Sequence, residues 1–304
     1  MAQTSQLNPH TYFGFDGAFL RKLERLALLT RRPMPGPAAG PRRSPRHGAS
    51  VEFADFRDYS PGDDFRRIDW NALARLDRLF LRLYSAEEMT TVTVCLDHSS
   101  SMTFGQPSKA LTAARLAAVM SYIALHADDR VMVAGWSQRI DHYLPAQGGR
   151  GAIPRVWSAL AEIAESPAGA TDFAALRSLP ALRRGSGLTI VLSDFLTDTD
   201  WSAGLRALRG SAHEVSVVQI LAPEELNPTL RGDWKLRDVE SEREIEITIS
   251  PRVLRRYEEE LAAHTAALRE LCRRQSMSFV QLPSSISLED VALSALRAAG
   301  VIGS

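Results

Sequence analysis

The chain has 304 residues, 45% hydrophobic and 24% charged, with Lys plus Arg and Asp plus Glu each totalling 36. That is material for one large or two modest globular cores, and a net charge of zero leaves no global field to draw the protein to nucleic acid or an anionic membrane. Its two cysteines, Cys95 and Cys272, stand far apart in sequence and read as reduced thiols in a cytoplasmic compartment.

The opening stretch, MAQTSQLNPHTYFGFDGAFL, has no basic segment followed by a long apolar run, so it does not read as a signal peptide. No window approaches the roughly 20 apolar residues that span a bilayer, and a soluble protein without membrane insertion is expected. From Asp16 to Thr30, leucines at 20, 23, 26 and 29 with Arg and Lys between them predict an amphipathic helix capped by Asp16. Residues 31–50 are rich in Pro, Gly and Arg and read as a linker or arm. Residues 1–50 are therefore taken as a first segment.

Residues 51–88 form a second segment, in which acids, arginines and aromatics alternate around a Pro-Gly turn at Ser60 to Asp63, before LFLRLY alternates like a half-buried strand. From residue 89 to 304, strand and helix patterns alternate. TVTVCL is a strand, followed by an Ala-rich helix that Ser108 would cap. RVMVAGW is a strand and RIDHYL a candidate partner for it. A helix follows at 153–165, and another begins at Thr171 or Asp172. LTIVLSD is a strand, WSAGLRALR a helix and HEVSVVQIL a strand. KLRDVESEREIEITIS reads as a hairpin insertion. A long helix opens at Pro251, MSFVQL is a last strand, and LEDVALSALRAAG a last helix. Alternation of this kind predicts an α/β domain with a mostly parallel sheet, and the continuous apolar strands predict helices on both its faces.

In such sheets ligands bind beyond the carboxyl ends of the strands. Asp97 and Asp194 each directly follow an apolar run, and Asp97 opens the pattern Asp97-x-Ser99-x-Ser101. This pattern resembles the metal-ion-dependent adhesion site of von Willebrand factor A domains, a Rossmann-like fold. The resemblance implies a site completed by Thr171 and Asp194, holding Mg²⁺ or Mn²⁺ and gripping a partner's carboxylate. An oxygen-only donor set with few anions suits magnesium, which keeps several waters. The competing reading is that Ser and Asp after strands only cap the helices that follow.

The segment 48–75 carries Glu52-Phe53, Arg57-x-Tyr59, Pro61-Gly62-Asp63-Asp64, Arg66, Ile68-Asp69-Trp70 and Ala74-Arg75. It is similar to the signature of the bacterial "domain of unknown function fifty-eight" family, whose members join this block to a von Willebrand A-like domain. The resemblance implies a partnership with a MoxR-type AAA+ ATPase in maturing or remodelling client proteins. Within the block, Arg57, Asp63, Asp64, Arg66 and Asp69 read as an ion-pair lattice, with Tyr59 and Trp70 as packing anchors. The alternative is a docking face formed by Arg57, Asp63, Arg66, Asp69 and Trp70, with Trp70 or an arginine dominant.

Two other readings compete with a binding module. Asp97 as the phosphorylated nucleophile of a metal-dependent phosphatase or phosphotransferase would need a second acid two residues on, where Ser99 stands. Nucleic-acid binding would rest on the arginines of PRRSPRHG alone, against zero net charge. A non-enzymatic binding module is the favoured expectation.

Overall fold

The computed structural model describes residues 12–30, 51–59, 68–76, 78–86, 90–182, 187–210, 214–237 and 244–298. The chain divides into two compact units, Met34–Met89 and the remainder.

The larger unit begins with helix α1 (Gly17–Thr30), whose first turn is capped as expected, the Phe19 N–H donating to Asp16 Oδ1 at 2.7 Å. This helix is no free arm. Phe13, Phe15, Phe19 and Leu23 are all buried in the main apolar cluster, and the Phe13 and Phe15 rings meet Trp157 edge-on at 5.9 and 5.3 Å. The helix groups with the sheet in the larger unit. Burial of four large apolar side chains ties this segment to the core.

In the smaller unit, β1 (Val51–Asp58) pairs antiparallel with β2 (Phe80–Ala86), and the short helix α2 (Trp70–Leu76) lies between them in sequence. The strand LFLRLY is where its alternation puts it. Its partner was not anticipated, because a register shift at Ala54 breaks the period of two and sets Phe53 and Phe56 three apart. Asp69 has a local structural part: its Oδ1 accepts the Ala72 N–H at 3.2 Å, capping α2, and its own N–H donates to the Phe80 carbonyl at 2.8 Å. Trp70 is 61% exposed, which corrects the expectation of a packing anchor. Asp63, Asp64, Arg66 and the Pro-Gly turn lie outside the described residues, as does the side chain of Arg57 in β1.

The remaining strands of the larger unit's main sheet are β3 (Thr91–Asp97), β4 (Arg130–Trp136), β5 (Ile140–Gly148), β6 (Leu188–Ser193), β7 (Glu214–Leu221) and β10 (Ser278–Pro283). They lie in the order β10-β7-β6-β3-β4-β5. All neighbours are parallel except β5, which runs antiparallel to β4 at one edge. Renumbered within the sheet this is 3-2-1-4-5-6, the doubly wound order. Strands β8 (Gly232–Arg237) and β9 (Glu244–Ile249) form the separate hairpin.

Alternate residues feed two cores. Val94, Leu96, Val133, Ile190 and Ile220 face the cluster that includes α3 (Lys109–His126) and α4 (Ile153–Glu165). Cys95, Met132, Val191 and Val217 face the other, built with α5 (Trp201–Gly210) and α6 (Pro251–Arg274). A final helix, α7 (Leu288–Ala298), joins the first face through Val291 and Ala292. Both faces are covered, as the apolar strands require. Ser108 caps α3 by accepting the Leu111 N–H at 3.2 Å, and Ser250 caps α6 by accepting that of Val253 at 3.3 Å.

Candidate metal centre

Strands β3 and β6 are neighbours, yet the chain leaves them for opposite faces, toward α3 after β3 and toward α5 after β6. This is the switch point at which a doubly wound sheet opens a crevice. Asp97 ends β3 there, only 2% exposed.

The Asp97 carboxylate is ringed by donors. The Ser99 N–H reaches Oδ1 at 2.9 Å. The Thr171 hydroxyl lies 3.0 and 2.9 Å from Oδ1 and Oδ2, and the Ser193 hydroxyl donates to Oδ2 at 2.6 Å. Ser99 and Ser101 present their hydroxyl oxygens 3.1 Å apart. Even so, burial pushes the Asp97 carboxyl up to about 6, helped by the negative charge of Asp194, against the lowering effect of the bonds from Ser193 and Ser99. A desolvated carboxylate that resists ionisation in a nest of oxygens is a place where a cation gains most.

Thr171 is set by its own short loop. The Asp172 N–H donates to the Ser137 carbonyl at 2.9 Å, and the Asp172 carboxylate caps the turn at Phe173–Ser178 through the Ala174 N–H at 2.8 Å. Phe173 is buried, edge-on to Trp136 and stacked on Phe195 with centroids 5.0 Å apart. Phe195 adopts φ 58°, a left-handed backbone that a bulky residue rarely takes, and so the chain turns sharply directly after Asp194.

Asp194 is in the crevice, but its oxygens are spoken for. Oδ1 accepts the Leu196 N–H at 3.0 Å, and Oδ2 accepts the Lys109 ammonium at 2.7 Å. Lys109 is fully buried and also bonds Glu225 at 2.5 Å; Glu225 in turn accepts the Ala222 N–H at 2.7 Å. Burial alone would lower the lysine's pKa, but Asp194 and Glu225 outweigh it and hold it up, so the ammonium stays charged.

All five residues expected from the sequence thus meet at one crevice. Asp97, Ser99, Ser101 and Thr171 face one another directly, while Asp194 is tied back by a lysine. Their oxygen-only donor set fits a magnesium ion. With Asp97 ionised, the three carboxylates and one ammonium sum to two negative charges, which a divalent ion balances without leaving excess anionic charge to repel an incoming carboxylate. Ser193, Lys109 and Glu225 escaped the sequence reading. A signal for Lys109 existed: it is a cation in the first turn of α3, at the positive end of the helix dipole, where a lysine needs an acid to hold it.

The family model described as "Protein of unknown function DUF58" matches residues 55–267. Uncharacterised proteins of Mycobacterium tuberculosis and Mycobacterium bovis are each 28% identical over 256 residues, covering 83% of this chain and 80% of theirs. Among solved structures, an aerotolerance-related membrane protein from Bacteroides fragilis aligns with TM-score 0.44 and 15% identity, over 70% of this chain and 100% of that one. The conserved hypothetical protein BatB from Bacteroides thetaiotaomicron aligns with TM-score 0.41 and 15% identity, over 69% and 99%.

Proposed function

The chain belongs to the family described as "Protein of unknown function DUF58", and from that premise we propose that it is a non-enzymatic, magnesium-dependent protein-binding module working with a MoxR-type AAA+ ATPase on client proteins. The observation that carries the reading is the buried Asp97 carboxylate among the hydroxyls of Ser99, Ser101, Thr171 and Ser193. Asp97, Ser99, Ser101 and Thr171 would hold the ion, with Asp194 beside it balancing charge through Lys109. The ion supplies an electrophilic socket for a partner's Asp or Glu. This chain's residues shield Asp97 from bulk water and keep the hydroxyls oriented toward it.

The ATPase partnership rests on the family resemblance of the block at 51–88, in which the exposed Trp70 is well placed as an anchor for docking. Among the described residues no helix is long and apolar enough to cross a membrane, and a cytoplasmic site of action is part of the proposal.

A pull-down from lysate tests it, using wild-type and Asp97→Ala protein, each with magnesium and with chelator. The expected result is a client retained only by wild type with magnesium. Identical captures in all four arms would remove the socket. Magnesium-dependent turnover of a phosphate ester that vanishes in Asp97→Asn would instead place the chain with phosphotransfer enzymes.

A further inference from the structure

The free position of the serine motif holds a histidine, His98, and its ring is only 2% exposed. Backbone bonds pin it on both sides, its N–H donating to the Trp136 carbonyl at 3.1 Å and its own carbonyl accepting the Ala168 N–H at 2.8 Å. Nδ1 lies 2.8 Å from the Ser166 carbonyl, and Nε2 lies 2.6 Å from the Asp141 carboxylate. A carbonyl oxygen can only accept, so Nδ1 carries the hydrogen. In that tautomer the lone pair of Nε2 points at an anion. Something positive has to lie between them: a second ring proton or a metal ion.

A third ligand is present. The His142 ring stands edge-on to His98 with centroids 5.1 Å apart, and one ligand atom each from His98, Asp141 and His142 fall within 4.8 Å of one another. Neighbouring residues on a strand normally face opposite ways. Here the β4–β5 register runs from Gly135 opposite His142 to Trp136 opposite Ile140, and Asp141 is left over. Such a bulge re-aims a side chain, which brings Asp141 and His142 to the same ring. Gly135 makes the space: a Cβ there would lie 3.1 Å from the Cβ of His142.

We propose that His98, Asp141 and His142 form a second metal site, selective for zinc or a similar borderline transition ion, with an outward coordination position for water or a partner's ligand. Two imidazoles and one carboxylate are a zinc set, unlike the all-oxygen crevice beside it. A histidine whose far nitrogen donates to a backbone carbonyl is the usual support for a metal-bound imidazole. Tetrahedral zinc, with ligands at about 2.0–2.1 Å, sets its donors roughly 3.3 Å apart. Asp141 is exposed and His142 half-buried, so these two can adjust while His98 stays fixed. The inference is independent of the magnesium reading.

The test uses the full chain stripped with chelator and returned to excess magnesium, titrated with Co²⁺ and then Zn²⁺. The expected result is a visible Co²⁺ spectrum of nitrogen and oxygen ligation, displaced by stoichiometric zinc. His142→Gln and Asp141→Asn should each weaken zinc by about tenfold or more without changing the circular dichroism melt, and Asp97→Ala should keep the spectrum. Absence of the spectrum in wild type, or zinc affinities in both variants equal to wild type, would overturn the site and reduce His98–Asp141 to an ion pair.

Discussion

Asp97 carries the chemistry of the crevice, and its burial has a measurable consequence. Its carboxyl moves from an ordinary 3.8 to about 6 in the folded, metal-free protein, through burial first and Asp194 second. Between those values the folded state holds more protons than the unfolded chain, so stability falls as pH rises through that window. Below both values the effect is absent. Denaturant midpoints taken in chelator across the window should fall in wild type, by about 1–3 kcal/mol, and stay flatter in Asp97→Asn. A wild-type profile no steeper than that of the variant would mean that Asp97 ionises freely in the fold. The aspartate and the two serines were legible as a polar pattern closing an apolar strand, and its resemblance to a known metal site pointed to Thr171 and Asp194. Lys109 and Glu225 were not: they lie 85 and 31 residues from Asp194 in sequence, and only the folded crevice joins them.

At the scale of elements, apolar runs and caps located most of the sheet domain. TVTVCL, LTIVLS and the helices after Ser108 and Ser250 stand where their patterns put them. The amphipathic helix read at Asp16–Thr30 is present, and the aromatic residues before and within it are core. One reading fails for a physical reason, that of Trp70 as a packing anchor. The sequence favours Trp70 as a packing anchor over a docking residue, yet it opens a short helix and is exposed. Burial sets the expected order of two mutations. Leu23→Ala removes a fully buried side chain and should cost about 2–5 kcal/mol. Trp70→Ala, at an exposed position, should change stability by no more than about 0.5 kcal/mol. Thermal melts of both variants decide it, and a large loss for Trp70→Ala with none for Leu23→Ala would contradict the packing described here.

For the whole molecule, sequence alternation announced a parallel sheet but not its strand order, because the order depends on which face each crossover takes. The winding reverses between β3 and β6 and thereby puts Asp97, Thr171 and Asp194 into one crevice from three distant segments. The exposed Trp70 belongs to the smaller unit and is not among the residues of the crevice. The account therefore stands on the crevice itself. Its most direct test is calorimetry of Mg²⁺, and separately Mn²⁺, added to chelator-stripped wild type and to Asp97→Ala, Ser99→Ala and Thr171→Ala. The account predicts a weak but saturable heat in wild type that is diminished in each variant and absent in Asp97→Ala. Equal heats in wild type and all three variants would contradict it.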